Sequence, residues 1–210
     1  MESKSIITIG RQFGSGGREI GKKLAQQMNI PFYDKELLSI AAQASGISQQ
    51  LFENHDEQPT NSLLYSLVMG TYAMGSPPLT YVDMPINHKI FLAQFDVIKK
   101  IAQAGACVIV GRCADYILRD NPHCTNVFIH ADLQTRIDRA VELYSVPMEN
   151  AEDVLNKTDK RRANYYNYYS GKKWSHVENY HISLNSSMIG IENCVEIIRL
   201  FAEKKEDFIR

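Results

Sequence analysis

The chain has 210 residues, of which 44% are hydrophobic and 22% charged, proportions of an ordinary globular protein that exclude a disordered or fibrous chain. That length suits a single domain, residues 1–210, with a full hydrophobic core. A formal net charge of -1 and a pI of about 6.6 provide no global basic field for a nucleic-acid backbone, so any anion must be held by local groups.

Ile6-Ile7-Thr8-Ile9 is a β-branched run ending at Gly10. A glycine-rich turn follows, then Ile20, Leu24 and Met28 at helical spacing, which predicts strand, loop and helix. Asn29 ends that helix, and Pro31-Phe32-Tyr33 is a short strand. Asp34 then stands where it can cap a helix carrying Leu37, Leu38, Ala41 and Ala42. From Ser45 to about His88 the periodicity weakens. Short helical pieces near 48–54 and 61–74 lead into Gly75-Ser76-Pro77-Pro78, and residues 45–88 read as an inserted mobile lobe.

Regular alternation returns with a helix carrying Ile90, Phe91, Val97, Ile98 and Ile101, stopped by Gly105. The strands Cys107–Val110 and Val127–Ile129 come next, then a helix with Ile137, Ala140, Val141 and Tyr144. The last third holds a polar helix with a Lys/Arg/Tyr cluster over 159–169, a strand at 181–184, and a terminal helix with Ile191, Val195, Ile198 and Phe201. Five short strands alternating with helices predict right-handed βαβ units and a parallel sheet covered on both faces. Ligands bind beyond the carboxyl ends of such strands.

The first strand-to-helix junction, Gly10 through Ile20, turns on Gly14-Ser15-Gly16-Gly17-Arg18. Such a turn aims backbone N–H groups at one spot beside the positive end of a helix dipole, which suits a phosphate. The pattern G-x-x-x-x-G-K-[ST] is not met: with Gly16 as its second glycine, Arg11 falls on the first glycine, Gly17 on the lysine and Arg18 on the Ser/Thr. Glycines alone also serve tight turns and close packing. Arg18, however, stands in the first helical turn, where the dipole disfavours a cation that serves no anion. Arg18, together with Arg11, is therefore expected to supply the charge that lysine usually brings. Without the Ser/Thr hydroxyl, Mg²⁺ is left to nucleotide phosphates, water and Glu19 or another carboxylate. No metal ligand is assigned.

Several segments together resemble the cytidylate kinase-like family, relatives of cytidylate kinase among the nucleoside monophosphate kinases. Ile7 through Gly21 is similar to the family's opening motif, and Pro31-Phe32-Tyr33-Asp34-Lys35-Glu36-Leu37 to its next one. Val108 through Asp115 resembles the third segment. Val127-Phe128-Ile129-His130-Ala131 through Arg136 and Arg139 resembles the strand and helix leading into a lid, and Tyr180 through Ser186 the last strand. Gly17 in place of the phosphate-loop lysine, and Val110 in place of the aspartate before Gly-Arg, depart from cytidylate kinases proper.

The resemblance implies a three-layer α/β/α P-loop NTPase fold: a five-stranded parallel sheet with a helical acceptor-binding lobe at 45–88 and a lid region at about 140–175. It implies ATP and Mg²⁺, and transfer of the γ-phosphoryl group to a nucleoside monophosphate, CMP or dCMP by default. Gly14, Ser15, Gly16, Gly17, Glu19, Arg11 and Arg18 are then the nucleotide-binding set, and Arg18, Arg161 and Arg162 the transfer set. Arg112, at the end of a buried strand, can take an acceptor phosphate with its forked guanidinium. Asp115, Asp34, Lys35, Arg136 and Arg139 complete the acceptor candidates. Asp115 could orient Arg112 or a nucleobase amino group and otherwise reads as a helix cap or a surface carboxylate, Arg136 and Arg139 share one helix face, and Asp159 through Arg162 without the resemblance read as a solvated face.

The mixed run Tyr165 through Trp174 reads as a packed hinge or dimer contact rather than a base-stacking surface. The histidines show no metal-ligand spacing, and no Ser-His-Asp arrangement is suggested. The four cysteines form no CxxC pair and read as reduced core thiols. With no run of about 18 apolar residues and no signal-like opening, a cytoplasmic location is expected, with small-molecule nucleotides as partners, neither nucleic acid nor membrane, and a homo-oligomer left open. A nucleotide-binding regulatory module that has lost efficient transfer, and a kinase of another small metabolite, are the alternatives.

Overall fold

The computed structural model describes residues 4–58 and 84–209; the expected helical piece at 61–74 and the turn at 75–78 lie outside them. Along these residues the elements are β1 (Ile6–Arg11), α1 (Gly17–Met28), β2 (Phe32–Tyr33), α2 (Glu36–Ser45), α3 (Gln49–His55), α4 (Ile86–Ala104), β3 (Cys107–Val110), α5 (Ala114–Ile117), β4 (Cys124–His130), α6 (Leu133–Tyr144), α7 (Ala151–Ser170), β5 (Ile182–Asn185) and α8 (Ser186–Ile209).

The five strands are all parallel, in the order β2-β3-β1-β4-β5. β1 is central, with Ile9 level with Val110 of β3 on one side and Val127 of β4 on the other. The strand order therefore reverses at β1, and its carboxyl end is the switch point at which a crevice opens.

Alternation assigns the faces. Cys107 and Ile109 of β3 join Ile6 in a core under α2 and α4, whereas Val108 and Val110 join Ile7 and Ile9 in a second core under α1 and α8. Burial on both faces is what continuous β-branched runs such as Ile6–Ile9 require of a central strand. The longer described helices match the expected ones, with shifted boundaries; the four-residue α5 was not expected.

Two local expectations change. Asp34 does not cap α2: Lys35 occupies the N-cap position without a side-chain cap bond, and the Asp34 carboxylate turns to Arg18 and Arg112 instead. Polar α7 is not simply a solvated helix. Tyr165 and Tyr166 are buried, the Tyr169 ring stacks on Phe91 of α4 at 3.8 Å between centroids, and the Tyr165 hydroxyl donates to Gln94 Oε1 at 3.1 Å. The aromatic run is thus the packed contact between α7 and the core. All four cysteines are buried free thiols, as expected.

Candidate active site

The loop between β1 and α1 is shaped by three carbonyl-directed anchors. Ser15, fully buried, donates its hydroxyl to the carbonyls of Gln12 (2.9 Å) and Ile129 (3.1 Å), while Ser186 donates to the Ser15 carbonyl at 2.7 Å. Gly14 and Gly16 sit at φ +79° and +80°, a region costly for other residues. A Cβ on Gly14 would lie 2.6 Å from the Arg136 carbonyl oxygen. The backbone N–H groups of Gly16, Gly17, Arg18 and Glu19 have no acceptor among the described residues, which leaves four donors at the start of α1 for an anion.

Asp159 of α7 accepts the Phe13 N–H at 2.7 Å and pairs with Arg136 at 2.5 Å, and Arg136 Nε donates to the Phe13 carbonyl at 2.8 Å. One buried ion pair therefore clamps both polar groups of Phe13 between α6 and α7. Burial, despite Phe13 and Arg136, holds the Asp159 carboxyl above its ordinary range.

Across the crevice the carboxyl ends of β1, β2 and β3 deliver Arg11, Asp34 and Arg112. Arg112 has φ +54° and is 2% exposed. Its guanidinium binds Asp56 through Nε (3.1 Å) and Nη2 (2.8 Å), and Asp34 (3.3 Å) and the Val110 carbonyl (3.1 Å) through Nη1. Glu57 receives Arg11 Nη1 at 2.7 Å and the Arg112 N–H at 3.3 Å on one oxygen, and Arg11 Nη2 and Arg162 Nε, both at 3.3 Å, on the other. Asp34 also receives Arg18 Nε at 2.5 Å.

Protonation follows from these contacts. Burial alone would raise the Glu57 carboxyl, but Arg11, Arg162 and Arg112 hold it far below the usual carboxylate range. Asp34 is likewise lowered, with Arg112 and Arg18 outweighing burial. At Asp56 burial wins over Arg112 and the carboxyl is raised. Arg162 falls to about 10, because burial and neighbouring Arg11 outweigh Glu57 and Asp159.

Beside this network lies a cavity of about 420 Å³, walled by Arg11, Phe13, Gly14, Arg18, Asp34, Lys35, Asp56, Glu57, Val110, Arg112, Tyr144, Thr158, Arg161 and Arg162. Six basic side chains face three carboxylates, an excess of three positive charges in one concave, partly dry site. Arg161 and Lys35 are exposed and carry no ion pair among the described residues.

The sequence candidates thus divide. Arg11, Gly14, Arg18, Asp34, Lys35, Arg112, Arg161 and Arg162 line the cavity; Ser15, Gly16 and Gly17 form the loop itself. Glu19 is engaged by Arg139 at 2.6 Å and Lys23 at 3.3 Å. Arg139 reaches the α1 side of the loop near Gly16, and Arg136 is held in the Phe13 clamp. Asp115 lines a small adjoining cavity that shares Arg11, Glu57, Arg112 and Arg162 with the larger one, and accepts the Tyr166 hydroxyl at 2.7 Å; burial raises its carboxyl. Asp56, Glu57 and the inward role of Asp159 were not foreseen. Asp56 and Glu57 stand in a stretch without periodicity, and nothing local marks them as partners of arginines that lie far away in the chain.

Sequence comparison with curated proteins gives no significant match. A crystal structure of an uncharacterized protein from Eubacterium ventriosum is 30% identical, with a TM-score of 0.70, over 95% of this chain and 99% of that one. Shikimate kinase from Bacteroides thetaiotaomicron (14% identity, TM-score 0.54, 95% and 98% covered) and a gluconokinase from Sinorhizobium meliloti (12%, 0.55, 100% and 98%) share the fold. The five-stranded parallel sheet with helices on both faces is accordingly the three-layer fold of P-loop kinases. With residues 6–188 matching its description, the chain belongs to the cytidylate kinase-like family.

Proposed function

We propose that this protein is an ATP-dependent phosphotransferase acting on a small phosphorylated acceptor, with a nucleoside monophosphate, CMP or dCMP by default, as the family resemblance implies. The observation that carries it is the excess of three positive charges around a cavity of about 420 Å³, opening beside four N–H groups at the start of α1 that are unengaged among the described residues. Charge neutralisation and positioning are what phosphoryl transfer requires of a protein.

The residues present fit a polyphosphate through the N–H groups at the start of α1 that have no acceptor among the described residues; the turn that aims them needs glycine at 14 and 16, where a Cβ would meet Arg136 or Ile191. ATP, when bound, supplies the phosphoryl group, and Mg²⁺ offsets its charge. No cluster of three or more acidic, His or Cys side chains fit to hold a metal occurs among the described residues; Mg²⁺ would be borne by the nucleotide phosphates, with water and Glu19 or another carboxylate completing its shell. The loop N–H groups orient the phosphates, Arg162 and Arg161 reach in from α7 toward developing charge, and Arg18 with Lys35 frames the acceptor side. Arg112 orders Asp34 and Asp56 at the floor.

A coupled ADP-release assay across ribo- and deoxyribonucleoside monophosphates and small hydroxylated metabolites tests this. Turnover on at least one acceptor is expected; ATP binding without release on any acceptor would instead favour a regulatory nucleotide-binding module.

A further inference from the structure

Two of the three departures of the phosphate loop from the usual pattern, Arg11 and Gly17, are one spatial exchange. A Cβ on Gly17, where the pattern has lysine, would stand 2.6 Å from Arg11 Cβ and 3.2 Å from Arg11 Cγ. Arg11 occupies the position of the pattern's first glycine. A side chain leaving residue 17 runs into the stem of Arg11, so the loop has room for one of the two long side chains.

Gly111 completes the exchange. It sits at φ +74°, and a Cβ there would lie 2.4 Å from both Arg11 Nη1 and Glu57 Oε1. The absence of a side chain at 111 lets the Arg11 guanidinium pass to the cavity, where it is held by Glu57 at 2.7 Å. Arg162 Nη1 fixes the Arg11 carbonyl at 3.2 Å. Arg18 points elsewhere: its side chain is half exposed and its Nε is engaged by Asp34.

We propose that Arg11, entering from the β1 side of the loop, is the phosphate-binding cation that replaces the absent lysine, and that a nucleotide phosphate displaces Glu57 from it. The exchange is charge-matched, because one anion leaves the guanidinium as another arrives. This deepens the phosphotransferase reading and rests on it.

ATP binding by calorimetry, with melting curves alongside, is compared for the parent, R18A, R11G, G17K and R11G/G17K. R11G and G17K are each expected to lose about tenfold or more in affinity, the first by loss of charge and the second by collision with Arg11. R11G/G17K, with the lysine in the vacated space, is expected within about threefold of the parent, and R18A is expected to lose less than R11G. Because R11G strips buried Glu57 of its closest partner, leaving it Arg162 and the Arg112 N–H, R11G/E57Q against E57Q provides the same comparison with both charges removed. A folded R11G/E57Q that binds ATP as tightly as E57Q, or a folded R11G/G17K no tighter than R11G, overturns the assignment. A parent that binds no ATP overturns the functional reading beneath it.

Discussion

Arg112 is the side chain whose loss the structure prices most directly. It is 1% exposed and shares its donors between Asp56, Asp34 and the Val110 carbonyl. Arg112→Met keeps an apolar stem of similar length but strips both carboxylates of this partner. Removing one member of a buried ion pair costs about 3–5 kcal/mol, because the charge left behind is unsolvated. Asp34 keeps Arg18 at 2.5 Å, so the burden falls on Asp56, and the lower end of that range applies. For a chain of this size each kcal/mol shifts the melting midpoint by about 2–4 °C, so R112M should melt roughly 6–12 °C below the parent. Asp56, already raised by burial, rises further without Arg112. Its folded-state pKa, already above the unfolded one, then exceeds it by more, the folded state takes the proton first, and R112M should gain stability relative to the parent as pH falls from 7 toward 4. Adding D56N should restore several degrees at neutral pH. Calorimetric scans across this pH range check all three outcomes; a shift under about 3 °C with no rescue by D56N would refute the charge-network account.

Three further outcomes follow from the same geometry. Glu57 has a folded pKa far below its ordinary 4.5, so its stabilisation is complete above that pH and lost as pH falls through the folded value; the stability gap between parent and E57Q should stay constant from pH 5 to 8 and narrow on acidification below about 4.5, as read by urea titration. Gly14→Ala places a Cβ 2.6 Å from the Arg136 carbonyl at φ +79°, and should cost about 2 kcal/mol or more, seen as a lowered melting midpoint together with weakened ATP binding. Arg161→Ala removes an exposed cavity cation, and should leave the midpoint within about 2 °C while slowing transfer about a hundredfold or more; unchanged turnover would remove Arg161 from the transfer set.

Much of the architecture is legible in the sequence. The β-branched run at Ile6–Ile9, the Gly105 stop and the apolar spacing of Ile90, Phe91, Val97 and Ile98 are local signals, and local sterics impose them wherever the chain goes. The sequence leaves Asp34 open between a cap and the site because its short-range geometry suits a cap, while Arg112 and Arg18 offer the carboxylate stronger, charged donors. α7 looked solvated because polar residues that pair inward carry the same pattern as polar residues that face water.

The sequence by itself therefore determined the parallel sheet, the glycine turn at 14–17 and the supply of arginines near it, since strand propensity and left-handed turns are properties of adjoining residues. The tertiary structure alone decided which charge each arginine meets. Arg11 finds Glu57 across 46 residues and Phe13 finds Asp159 across 146, and such pairings depend on the order in which strands lie side by side. The same packing, through the collision of a Gly17 Cβ with Arg11, turned a missing lysine into a relocated cation.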